Sequence, residues 1–197
     1  MNKNPKKGEY VEAILRSKNT IFPTRDISLL WNEENETTVT NRLKQYVHFG
    51  KLIRIRRGLY AKDTKYNRLE LATRINTPAY ISFETVLTQS GTNFQYYKNI
   101  FVASYVNREI IIDNQKYTFI KIKDYVLRNT LGVEHADGIA MATKERAFLD
   151  RLYINKDYYL DNPHNINWAH IFEIVKIYNN KRLEKQVERL FKELQNK

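Results

Sequence analysis

Wound at about 100° per residue, Thr37, Thr38, Asn41, Lys44, Gln45 and His48 fall on the side of a helix opposite Leu43, with Arg42 on the flank. These are the side chains a helix in a DNA major groove uses. Asn and Gln can bond N7 and N6 of adenine together, Thr can meet a thymine methyl or a phosphate, and Lys neutralises backbone charge. Every surface helix has a polar outer face, so the ridge alone does not decide. Directly after it, Lys51, Arg54, Arg56 and Arg57 place four cations within seven residues. Like charges gathered on a two-stranded ribbon repel one another, and a polyanion relieves that repulsion. Taken together, the two features predict contact with nucleic acid. Asn41 and Gln45 are expected to read bases. Thr37, Thr38, Arg42 and Lys44 are expected to position the helix on the backbone, and Lys51, Arg54, Arg56 and Arg57 to meet phosphates or a minor groove.

Other chemistry finds little support. The six glycines, at positions 8, 50, 58, 91, 132 and 138, form neither a P-loop nor a GxGxxG turn, and there is no GxSxG. The absence of cysteine excludes disulfides, thiolate zinc sites, cysteine nucleophiles and cysteine-ligated iron–sulfur clusters. His48, His135, His164 and His170 are scattered, and His164 and His170 are spaced wrongly for one helical face. His135-Ala136-Asp137 reads as a turn. Glu145 and Asp150, on one helix, lie about 140° apart around its axis and do not converge as an acid–base pair. No catalysis, metal, cofactor or small-molecule substrate is expected. Tyr96-Tyr97 and Tyr158-Tyr159 could stack on unpaired bases, although scattered tyrosine suits an AT-rich coding bias. Lys3, Lys6 and Lys7 form a basic arm that could reach a phosphate. Arg108, Lys116, Lys121, Lys123 and Arg128 read as a solvated sheet face.

The elements that must carry these residues follow from periodicity. Tyr10, Val11, Ile14 and Leu15 predict a first short helix. Phe22 to Ile27 reads as a loop entering a second, with Thr24 as N-cap, Asp26 in the first turn and Ile27, Leu30 and Trp31 buried. Thr37 or Thr38 is expected to cap a third helix, whose inner stripe is Val39, Leu43, Tyr46 and Val47 and which Gly50 stops. The pattern then changes to a period of two, Ile53 and Ile55 alternating with Arg54 and Arg56, which predicts a ribbon with one apolar and one cationic face turning at Arg57-Gly58. Three short helices and a hairpin are the order of a winged helix-turn-helix.

A polar stretch at 63–68 marks the expected boundary, giving a domain at 1–66 and a second at 67–197. In the second, Leu69 to Ile75 suggests a helix, and Pro78 opens an apolar stretch from Ala79 to Leu87. Strands are predicted at 100–106, 109–112, 117–122 and 139–142, with a hairpin turn at Asp113 to Lys116. Thr143 should cap a helix through Tyr153, and helices at 166–178 and 183–194 close the chain. The fold class expected is α/β (α+β), a winged helix-turn-helix followed by a small, mostly antiparallel sheet with C-terminal helices.

Size and composition agree with this reading. The chain has 197 residues, 42% hydrophobic and 28% charged, enough for a real core and close to the globular average. Its net charge is +11, of which +7 falls in residues 1–66, and that distribution favours a polyanionic partner. No run approaches the roughly 18 apolar residues of a spanning helix. The basic start leads into an amphipathic stretch instead of an apolar signal core, so a cytoplasmic location without membrane contact is expected.

Three blocks resemble a known family. Phe22-Pro23-Thr24-Arg25-Asp26, Arg42-Leu43 and Gly50 through Ala61 are similar to the N-terminal winged helix of AbiEi-type antitoxins. Pro78 through Leu87 and Ala142 through Asp150 are similar to two signatures of that family's C-terminal portion. The resemblance spans about residues 20–153 and implies a type IV antitoxin of an abortive-infection system. It implies autorepression at inverted repeats of double-stranded operator DNA, and a C-terminal domain countering a co-encoded nucleotidyltransferase toxin. Direct toxin binding stays open, and residues 154–197 match no family pattern. Two other readings are an RNA- or single-strand-binding module and a protein partner that sequesters the toxin without operator binding.

Overall fold

In the computed structural model, which describes residues 9–196, the chain divides into two compact units, Met1–Ile75 and Asn76–Lys197. The basic arm at Lys3, Lys6 and Lys7 lies outside the described residues. The first unit runs α1 (Glu9–Arg16), β1 (Ile21–Pro23), α2 (Thr24–Trp31), α3 (Glu36–His48), β2 (Ile53–Arg56), β3 (Leu59–Ala61) and α4 (Arg68–Ile75). Its core gathers Tyr10 and Ile14 of α1, Ile27 and Trp31 of α2, Val39 and Leu43 of α3, and Phe22, Leu52 and Tyr60. The Trp31 indole N–H donates to the Tyr10 carbonyl at 2.8 Å, so its one polar atom is satisfied inside the cluster. Leu15 and Leu30, expected in the core, are exposed. Leu15 sits about 100° around the helix from Ile14, at the edge of the apolar stripe.

The helix starts differ from expectation. Thr24 is the first residue of α2 and not its cap; the capping position is Pro23, which offers no side-chain acceptor. Helix α3 begins before Thr37, because Asn35 holds extended backbone angles and its Oδ1 accepts from the Thr38 N–H at 3.0 Å. Strand β1, read as loop, pairs antiparallel with β3, which also pairs with β2, giving the order β1-β3-β2.

The boundary expected after residue 66 lies inside the first unit. Helix α4 belongs there because buried Glu70 accepts from the Thr20 backbone N–H at 2.8 Å and hydroxyl at 2.6 Å, while Arg74 pairs with Asp26 at 2.8 Å. These polar bonds join α4 to the residue before β1 and to α2, where hydrophobic periodicity gives no sign of it.

The second unit contains β4 (Ala79–Ile81), α5 (Glu84–Gln89), β5 (Ile100–Ser104), β6 (Arg108–Ile112), β7 (Gln115–Lys121), α6 (Asp124–Leu127), β8 (Val133–Ala136), β9 (Ile139–Ala142), α7 (Lys144–Ile154), α8 (Trp168–Ile174) and α9 (Lys181–Gln195). Its six-stranded sheet has the order β6-β7-β5-β4-β9-β8. It is mixed and not mostly antiparallel: β5–β7 and β4–β9 pair in parallel. The reason is that the β6–β7 hairpin docks on β5 through its second strand. Its turn is Asp113-Asn114, both at positive φ, the two-residue form that matches strand twist. His135 lies on edge strand β8, and the turn is Asp137-Gly138.

Helix α7 starts at its expected cap, with Thr143 Oγ1 accepting from the Arg146 N–H at 3.3 Å. It carries a buried polar hub. Asp150, fully buried, accepts from the hydroxyls of Tyr80 at 2.9 Å, Ser82 at 2.7 Å and Tyr178 at 2.7 Å. Fully buried Arg146 donates to the carbonyls of Leu131 at 2.8 Å and Val126 at 2.7 Å, to the Tyr80 hydroxyl at 2.9 Å, and at 3.4 Å to Asp150. Burial alone would lower the Arg146 pKa, but Tyr178, Asp150 and Tyr80 more than offset it and hold the guanidinium above its ordinary value. Burial, with the Asp150 charge next, pushes both Tyr80 and Tyr178 well above the usual phenol. Arg151, next to the hub, pairs with buried Glu84.

Candidate nucleic-acid interface

Helix α3 is held by Val39 and Leu43, both fully buried, with Tyr46 and Val47 packed at the margin of the same core. That fixes which way the rest of the helix points. Thr37, Asn41, Lys44, Gln45 and His48 are exposed, and Thr38 is half-buried beside the cap. Asn41 and Gln45 therefore stand at the crest of a solvent-facing ridge. The spacing of apolar residues on α3 was sufficient to place them.

Arg42 behaves differently. Its guanidinium carbon sits 3.7 Å from the centroid of the Tyr10 ring and 5.8 Å from that of Trp31. A guanidinium over an aromatic face is worth about 0.5–2 kcal/mol, and here it ties α3 to α1 and α2. The residue expected to hold a backbone phosphate is engaged within the fold, on the flank of α3 away from Lys44.

The hairpin turns at Gly58, whose φ of +76° favours a residue without a Cβ. The Gly58 carbonyl accepts from the Thr24 N–H at 3.0 Å, which fastens the turn to the start of α2. The period-two reading of β2 fails at one point. Arg54 pairs with Tyr60, but Arg56 pairs with Leu59, so Ile55 is an extra residue in a β-bulge. Adjacent residues of β3 point to opposite faces, and the two arginines consequently do not share one. Arg54 follows Tyr60 toward the side where the helices pack; Arg56 follows Leu59 to the other. The expected single cationic face is thus divided.

Between α3 and the hairpin this arrangement opens a cleft of about 590 Å³, lined by residues including Lys44, His48, Arg54 and Arg57, with Thr24 and Thr40 adding hydroxyls. Among the described residues no carboxylate lines it. Three permanent cations and an imidazole line one concave space, and low-dielectric walls around like charges focus the field into it. Of the residues predicted from sequence, Lys44, Arg54 and Arg57 are brought together here, and Asn41 and Gln45 stand on the adjoining ridge. Lys51 is exposed just past α3, its N–H donating to the Tyr46 carbonyl at 2.8 Å, and it does not line the cleft. Thr24, Thr40 and Tyr60 come to the same wall through tertiary placement that no sequence pattern signals, Thr24 through its bond to the Gly58 carbonyl.

The cations of the second sheet are partly engaged. Lys116 pairs with Glu109 at 2.8 Å, and that hydrogen bond holds the Glu109 carboxyl below its usual range. Arg128 pairs with Asp124 at 2.8 Å. Among the described residues no group of three or more His, Asp or Glu could hold a metal ion, and no helix is long and apolar enough to cross a membrane. No protein-family model matches the chain, and no curated protein matches it significantly.

Proposed function

We propose that the first unit is a winged helix-turn-helix that binds double-stranded DNA, with α3 as the recognition helix and the β2–β3 hairpin as the wing. The observation that carries this reading is the acid-free cleft shared by Lys44, His48, Arg54 and Arg57, next to the Asn41–Gln45 ridge. In this reading Asn41 and Gln45 meet base edges, most favourably adenine. Lys44, Arg54 and Arg57 take backbone phosphates, and Thr24 and Thr40 add hydroxyl donors. Arg56 lies on the far side of the ribbon from this contact. The protein acts as an autorepressor at inverted repeats upstream of its own gene. The resemblance to AbiEi-type antitoxins extends the proposal to countering a co-encoded nucleotidyltransferase toxin.

The two blocks of that resemblance in the second unit meet in the core. Tyr80 and Ser82 from the first bond Asp150 from the second, and Glu84 from the first pairs with Arg151, the residue following the second. The deciding experiment is a gel-shift titration of the purified chain against the DNA upstream of its gene, a scrambled duplex and a matched single strand. The proposal predicts tightest binding to the upstream duplex. Equal affinity for all three, or preference for the single strand, would refute operator binding. Co-expression with the neighbouring gene, if that encodes a nucleotidyltransferase, tests the antitoxin part by rescue of growth.

A further inference from the structure

Helix α9 is amphipathic in a way that its packing makes explicit. Leu183 and Val187 are buried, and Phe191 packs against Trp168 and Phe172 of α8 with ring centroids 5.4 and 5.3 Å apart. On the opposite side Arg182, Lys185 and Arg189 recur at i, i+3 and i+7, which is one face, and all three are exposed. The loop after α7 adds a fourth cation, exposed Lys156, whose carbonyl accepts from the Gln186 side-chain amide and so is anchored to that face. These residues, with Asp157, line a concave surface of about 330 Å³. Among the described residues, only Arg189 of the four cations has an ion-pair partner, Glu193 at 3.6 Å, and no ion pair joins Asp157 to any of them. Glu184 and Glu188 sit about 100° or more around the helix from the middle of the cationic stripe.

We propose that this cleft on the second unit is a further nucleic-acid site, which takes the phosphate backbone without reading sequence. Its chemistry selects that partner over an acidic protein. Every lining residue is charged or an amide, and a stable protein interface needs a desolvated apolar or aromatic anchor at its centre. Backbone phosphates need only cations at helical spacing. Among the described residues no aromatic side chain lines the surface, and Gln186, the one amide there, already donates to the Lys156 carbonyl, so the contribution of the site is independent of sequence. This goes beyond the DNA-binding reading of the first unit and does not depend on it. It also assigns a role to the C-terminal residues, which no family pattern covers.

The test uses the full chain and a fluorescein-labelled duplex of scrambled sequence, followed by anisotropy across salt concentration. Lys44→Ala/Arg54→Ala/Arg57→Ala disables the first cleft, and in that background residual binding should remain. Adding Arg182→Glu/Lys185→Glu should abolish the remainder. Added to the otherwise unaltered chain, the same pair should reduce the slope of log affinity against log salt by about 2, at roughly 0.9 per phosphate lost. The conservative pair Arg182→Lys/Lys185→Arg should retain both. Unchanged affinity and slope in the Arg182→Glu/Lys185→Glu chain would overturn the proposal. Polyglutamate displacing the labelled duplex as well as unlabelled duplex of equal charge would also overturn it, by assigning the cleft to acidic protein. If the first-cleft variant binds as tightly as the unaltered chain while the α9 variant does not, this site stands and the first unit's DNA role falls.

Discussion

The Asp150→Ala substitution tests the packing of the second unit most directly. Asp150 and Arg146 are both fully buried, and the carboxylate accepts four hydrogen bonds, from Tyr80, Ser82, Tyr178 and Arg146. Truncation leaves a buried guanidinium without its counter-charge, which costs about 3–5 kcal/mol. It also takes the acceptor from three hydroxyls; each loss is worth about 1–3 kcal/mol alone, but the penalties overlap and do not add. A loss of about 4 kcal/mol is a large part of the roughly 5–15 kcal/mol by which a domain is stable. At about 4 °C per kcal/mol for a unit of this size, the melting transition should fall by some 15 °C. Hydrogen exchange read by mass spectrometry on β4, β5 and α7 separates this unit from the first. Arg146→Met/Asp150→Leu, which removes both charges and refills the space, should be less damaging than Asp150→Ala alone. A loss below about 1 kcal/mol for Asp150→Ala, or a double variant costing the sum of the two single changes, would refute the hub as the organiser of this core.

The same hub predicts an alkaline limit. Tyr80 and Tyr178 have folded-state pKa values raised well above 10 by burial, so their contribution is complete below pH 10 and is lost as pH rises past it. There the unfolded phenols ionise while the folded ones do not. The unfolding free energy from urea titration should fall by about 1.4 kcal/mol per pH unit for each tyrosine, and a flat profile to pH 11 would contradict this. Asn41→Ala should cost about 1–3 kcal/mol on the upstream duplex and almost nothing on a scrambled one, measured by anisotropy. Arg54→Ala should flatten the salt slope by about 0.9 on both duplexes; because the bulge turns Arg56 away, Arg56→Ala should do so by less, and an equal effect would show that the register does not govern the contact. Gly58→Val forces a β-branched residue to a φ of +76° and should destabilise the first unit by about 1–3 kcal/mol in urea unfolding, with Gly58→Asn milder.

The helices of the first unit are legible in sequence because their apolar residues repeat at helical spacing and a wheel needs no tertiary information. Strand β1 is not, since three residues ending in Pro23 have no period to read; only pairing with β3 makes them a strand. The cap at Asn35 escaped for a related reason: the Asn-Glu-Thr-Thr run offers several capping side chains, and backbone angles choose among them. The mixed sheet was hidden because parallel or antiparallel pairing depends on which strand of the β6–β7 hairpin docks on β5, a long-range choice. Leu30 shows the opposite error, an apolar residue in register that stays 42% exposed.

For the candidate site, composition and ridge were readable, but the division of the arginines beside the cleft was not, and the cause is a single residue. Strict alternation along Ile53-Arg54-Ile55-Arg56 would keep both arginines on one face of the ribbon. Buried Tyr60 belongs to the helix-packed core, so the strand position opposite it faces that side, and the register puts Arg54 there. The extra residue Ile55 then restores pairing at Leu59 with Arg56 on the reverse face. The bulge thereby takes Arg56 off the side that Arg54 shares with Lys44 and His48, at the cost of one regular ladder pair. Since the choice is made by where the Tyr60 ring is buried, the electrostatics of the surface are set from the core, and a variant that moves Tyr60 should redistribute the charge as surely as one that removes an arginine.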